Sequence, residues 1–221
     1  MYSKNMIYAH IFACFIPLIA FIIIFFLLVP QIKVSGILFS CILGLLCVIP
    51  IALLQIFLAK VPLFNRTNIW AVFFTALIFN GLVEEFVKML LMLPIPAKTK
   101  ILAPFFSYTV LFGISLASFE NVIYLVNGTG DFLLRMMTSM PIHAVCAALG
   151  GLYVWSWRKK EIHITPFIYA VIIHGVYNFF AAFPWSFKLI SFVPMRSFSI
   201  IAILFGIIEC RIWYKNLCQL H

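Results

Sequence analysis

The chain has 221 residues, of which 65% are hydrophobic and only 10% charged, with a mean hydropathy of +1.16 and a formal charge of +9. Soluble domains run nearer ~45–50% apolar and ~25% charged, so a water-soluble fold around one core is excluded. The positive charge does not point to nucleic acid either, because Lys and Arg stand singly or in small clusters between apolar runs, as residues facing anionic headgroups do.

Seven apolar segments approach or exceed the ~20 residues that a ~30 Å hydrocarbon layer demands: roughly 7–29, 35–59, 69–93, 104–126, 132–157, 164–183 and 195–214. The expected fold is therefore an all-α polytopic membrane protein of about seven transmembrane helices. It forms one domain over 1–221, with its chemistry in a core at about 69–183. The expected location is the plasma (bacterial inner) membrane, multi-pass. The first run is too long for a signal-peptide core and has no small-residue cleavage site, so it reads as a spanning helix. Neither it nor the second run carries a chemical motif.

The third run contains Asn80-Gly81-Leu82-Val83-Glu84-Glu85-Phe86-Val87-Lys88. Carboxylates inside a span are costly and mark functional interiors by default. Glu84 and Lys88 share a helix face and can pair. The adjacent Glu85 needs another partner or a retained proton, the setting of a general base for water. In the fourth run, Pro104 interrupts 101–108, which reads as an interfacial lead-in; further on come Glu120 and Asn121. Glu120 has no local cation, so its partner must come from another helix.

The fifth run holds Pro141-Ile142-His143 followed by the small residues Ala144 to Gly151, which favour close helix contact. In the sixth, His174 and Asn178 lie four apart on one face and can present two donors to a common point, as an oxyanion site requires. The seventh run carries no motif, and Phe187 to Pro194 before it has no clear assignment.

Lys and Arg bias places Lys33, Lys98, Lys100, Arg158-Lys159-Lys160, Arg211 and Lys215 in the cytoplasm. The N-terminus, with Lys4, Lys60, Arg66, Arg135, Lys188 and Arg196, is then outside. The six cysteines form no CxxC pair and read as small hydrophobes. Ser115 and Ser118 have no His on their own segment, and Cys146 lacks a paired base in sequence, so activated water is favoured over a covalent nucleophile.

Glu84-Glu85-Phe86-Val87-Lys88, Gly113 to Asn121, the lone His143, and His174 to Asn178 together resemble the PrsW family of intramembrane proteases, more distantly the CAAX-protease and bacteriocin-immunity superfamily. The family pattern is EExxK, GxxFAxxEN, a lone His, then HxxxN, and it spans about residues 80–178 in the correct order. One departure is Leu116, where the family usually has Phe. The resemblance implies an endopeptidase acting on membrane-anchored proteins, such as membrane-bound anti-sigma factors. Its catalytic set is Glu84, Glu85, Glu120, His143, His174 and Asn178, with Lys88 and Asn121 in support.

Two mechanisms follow. In the favoured metal-free version Glu84 is the base and Glu120 orients the water; His174 and Asn178 hold the oxyanion, and His143 helps position substrate. In the other version Glu120, His143 and His174 bind zinc or another divalent ion, with Glu84 again the base. The rival from another class is a proton-coupled transporter or channel using the same Glu and His residues as a relay. Axial haem ligation by His143 and His174 would leave three carboxylates unexplained.

Overall fold

The computed structural model describes residues 4–61, 68–97, 101–128, 132–183, 186, 188–190 and 193–219. Arg66, Lys98, Lys100 and Asp131, which the sequence assigns to loops, lie outside the described residues. The described residues form helices α1 (Lys4–Leu28), α2 (Val34–Leu58), α3 (Ile69–Met92), α4 (Leu102–Val126), α5 (Phe132–Arg158), α6 (Thr165–Ala181) and α7 (Phe198–Gln219). Lys188–Ile190 pairs antiparallel with Val193–Pro194, and a 3-10 turn, Met195–Ser197, leads into α7.

Six of the helices are long and apolar enough to cross a membrane, α7 together with its leading turn; α6 is the short one, with 17 residues. At 1.5 Å per residue α6 reaches about 26 Å, slightly under the ~30 Å hydrocarbon layer. Helices are the economical form here because each backbone donor is satisfied within its own segment. Asn68 adds a cap at the start of α3, its side chain accepting from the Ala71 N–H at 2.9 Å.

Two local expectations are revised. Helix α4 starts at Leu102 without an interfacial lead-in, because Pro104 falls in the first turn, where its missing N–H removes no intrahelical bond. Within α3, residues Ala76–Val83 run as a π-helix that returns to α geometry at Glu84. Such wide turns are rare and concentrate at functional positions.

Helix α4 is the centre of the bundle. It is buried on every side from Phe105 through Ser118, Phe106 excepted, and packs on α1, α2 and α5. Helix α1 is the least buried of the six long helices. Helix α6 packs against the π segment of α3, and against α5 and α7. Two close approaches set the geometry. A Cβ at Gly113 would stand 2.3 Å from the His143 carbonyl oxygen, so only glycine lets α4 lie against this turn of α5. Gly81 and Gly175 face one another across the α3–α6 crossing: a Cβ at Gly81 would meet the Val171 carbonyl at 2.6 Å, and one at Gly175 the Leu77 Cα at 2.8 Å.

Candidate active site

The ionisable residues singled out by sequence converge from α3, α4, α5 and α6. Glu84, the first residue after the π segment, lies with Oε1 3.1 Å from Lys88 Nζ, 3.3 Å from His143 Nδ1 and 3.8 Å from His174 Nε2. Lys88 is fully buried and bridges, its Nζ donating to Glu85 Oε1 at 2.8 Å and to His143 Nδ1 at 3.0 Å. Glu85, 1% exposed, receives the Nδ1–H of His174 at 2.5 Å. The two imidazoles meet edge to face, 5.0 Å between centroids.

Each imidazole's partners define its hydrogen-bonding role. Lysine is a donor only, so His143 Nδ1 accepts and its Nε2–H donates to Glu120 Oε2, 2.7 Å away. The carboxylate of Glu85 is an acceptor, so His174 carries its hydrogen on Nδ1 and turns Nε2 toward Glu84.

Glu120 finds its cation on another helix, as the sequence requires. Arg135 of α5 lies 3.3 Å from Glu120 Oε1, donates from Nε to Asn121 Oδ1 at 3.3 Å, and stacks on the Tyr124 ring at 3.4 Å. The sequence reading left Arg135 at the membrane rim and missed this contact. The available signal was its position one turn into α5, just across a short loop from the end of α4.

A cavity of about 530 Å³ gives this cluster its access. Glu84, Glu120, His143, His174 and Asn178 line it, as do Gln55, Asn80, Arg135, Tyr177 and Arg196. Glu85, Lys88 and Asn121 stand behind the wall and brace the lining groups. Asn178 Nδ2 donates to the carbonyl oxygen of His174 at 3.2 Å, so its amide secures the turn that carries the imidazole. Tyr177 and Thr138 are joined at 2.9 Å across the α5–α6 wall.

The candidate covalent nucleophiles are committed elsewhere. Ser115 donates to the Cys41 carbonyl and Ser118 to the Ile114 carbonyl, and both are fully buried. Cys146 differs from the sequence expectation, since folding brings it, with Glu85 and His174, into a set of donor atoms within 4.8 Å of one another. Its thiol nevertheless points to the Ala170 carbonyl at 3.6 Å, is 0% exposed, and takes no part in the cavity wall.

Glu84, His143 and His174 likewise bring donor atoms within 4.8 Å of one another. Two imidazoles and one carboxylate are a donor set that holds catalytic zinc with a position open for water. Glu85 behind His174 is the outer carboxylate such a ligand usually has. These three residues are therefore the candidate set for a divalent ion, with Glu84 where the sequence pattern puts Glu120.

A family model described as PrsW family intramembrane metalloprotease matches residues 34–207. A protein named Protease PrsW from Clostridioides difficile is 25% identical over 144 residues, covering 58% of this chain and 60% of that protein. Another of the same name from Oceanobacillus iheyensis is 27% identical over 148 residues, covering 62% and 66%. The chain thus spans less than two thirds of the length of either relative. No solved structure matches it.

Proposed function

The chain belongs to the PrsW family, and we propose that it hydrolyses peptide bonds of membrane-anchored proteins within the bilayer, using water activated by Glu84. The observation that carries this reading is the meeting of Glu84, Glu120, His143 and His174 on one cavity wall inside an apolar bundle. Membrane-bound anti-sigma factors are the substrate class carried over from the family resemblance.

The cluster's charge supports the roles. Glu84, Glu85 and Glu120 bring three carboxylates against two fixed cations, Lys88 and Arg135. His174, clamped to Glu85 through Nδ1, turns Nε2 toward Glu84 at the cavity wall, beside the oxygen that becomes negative as water adds to the peptide carbonyl. Glu84 accepts the proton from that water and returns it to the amide nitrogen as the C–N bond breaks. Glu120, held by His143 and Arg135, orients the water. Asn178 fixes the His174 turn.

If a divalent ion occupies the Glu84, His143 and His174 donors, it supplies Lewis acidity and a more acidic bound water. Lys88, Glu85 and Arg135 keep their bracing roles in either case.

The test uses the purified chain in proteoliposomes with a single-span reporter. Glu84→Gln is expected to reduce cleavage by on the order of 10²–10⁴-fold, the range for a lost general base. Near-normal cleavage would remove Glu84 from that role. Elemental analysis and chelation of the active protein decide the metal: loss on chelation with restoration by one ion assigns it, and insensitivity together with absent metal excludes it. Proton flux without any cleavage would favour the relay reading instead.

A further inference from the structure

The cavity wall holds polar groups that the hydrolytic roles leave unused. Gln55 of α2 and Asn80 of α3 both line it, and Gln55 Nε2 donates to Asn80 Oδ1 at 3.4 Å. Asn80 lies within the π segment of α3, and Gln55 in the last turn of α2, three residues from its end. Side-chain amides at such positions are expensive in hydrocarbon unless partnered, so a pair joined by one long hydrogen bond calls for a reason. Asn127 and Asn178 add two more carboxamides to the same wall.

A carboxamide offers the same donor and acceptor as a peptide group. The Gln55–Asn80 contact uses one N–H and one carbonyl and leaves the remaining N–H groups and the Gln55 carbonyl in hand. A helical substrate has its N–H and C=O groups paired within the helix, so only an unwound, extended segment has main-chain groups free to use them. Once unwound, that segment exposes N–H and C=O groups inside an apolar bundle, each costly unless it finds a partner.

We propose that Gln55 and Asn80 form a backbone-binding subsite that holds an unwound, extended stretch of peptide beside the carboxylate cluster. This deepens the protease reading, and it predicts binding that can be measured without cleavage. The subsite reads main chain and is indifferent to side-chain sequence, so its contribution is shared by any apolar segment able to unwind.

The experiment uses the full chain in detergent micelles and a capped, uncharged ten-residue Leu/Ala/Gly peptide, with an analogue N-methylated at alternate amides. Binding is followed by competition against a fluorescent version of the same peptide. The unmodified peptide is expected to bind about ten-fold more tightly than the methylated one. Gln55→Leu with Asn80→Leu is expected to remove that preference while leaving the unfolding midpoint within a few degrees of wild type. The conservative pair Gln55→Asn and Asn80→Gln, which retains both amides, is the control should the first variant misfold, and it is expected to keep a measurable preference. Equal affinity for the two peptides in the wild type, or full discrimination in the Leu variant, would overturn the subsite. Backbone-sensitive binding in a chain that never cleaves would sink the protease reading and leave the subsite standing.

Discussion

Lys88 shows how much of this site is electrostatic support. Its ammonium has no exposure and touches Glu84, Glu85 and His143 together. Replacing it by Met keeps the volume and leaves two buried carboxylates without their cation, a loss that costs about 3–5 kcal/mol in comparable buried pairs. Thermal unfolding of Lys88→Met in detergent should show that loss, and Lys88→Met with Glu85→Gln should recover part of it. Arg135→Leu should act differently, lowering kcat through a misplaced Glu120 with a smaller cost in stability, because the Glu120 side chain is 26% exposed to the cavity and can rehydrate. The residues that converge on the cavity were legible in sequence because an ionisable group in an apolar run has few structural uses. Arg135 was not, since three residues into a helix it looks like any rim cation. The nearness of Cys146 to His174 was equally invisible, because it arises only where α5 packs on α6.

Among the elements, the crossings of α4 with α5 and of α3 with α6 decide whether the groups meet. Gly113→Val would drive a side chain into the His143 carbonyl, and Gly175→Leu into the Leu77 backbone. Overpacking of this kind costs typically 1–3 kcal/mol and shifts the backbone. Both variants should still insert into membranes, and both should lose cleavage by more than ten-fold in the proteoliposome assay. Normal activity in either would mean that the crossing tolerates a gap of an ångström or more. The spans themselves were legible from length and hydropathy to within a few residues. The π segment was not, because Ala76–Val83 has the composition of any apolar helix, and it lies where α3 packs against α6. The start of α4 departs from the expectation because a proline in a first turn is compatible with the helix.

For the whole molecule, sidedness follows from the distribution of charge. The charge bias predicts that the Arg158-Lys159-Lys160 turn and the end of α7 face the cytoplasm. Cys218, near that end, is the only exposed thiol among the described cysteines; the other five are buried. A membrane-impermeant maleimide should therefore leave Cys218 unlabelled in intact cells and label it after the membrane is opened; labelling of intact cells would invert the topology. The cavity gives that assignment its weight. Its lining includes Gln55, Asn127, Arg135, Ala182 and Arg196, all at helix ends on the face where the chain begins. Solvent for hydrolysis would be drawn from that compartment alone, making the reaction vectorial. A water-soluble blocker would then need no passage through the bilayer to shut it off.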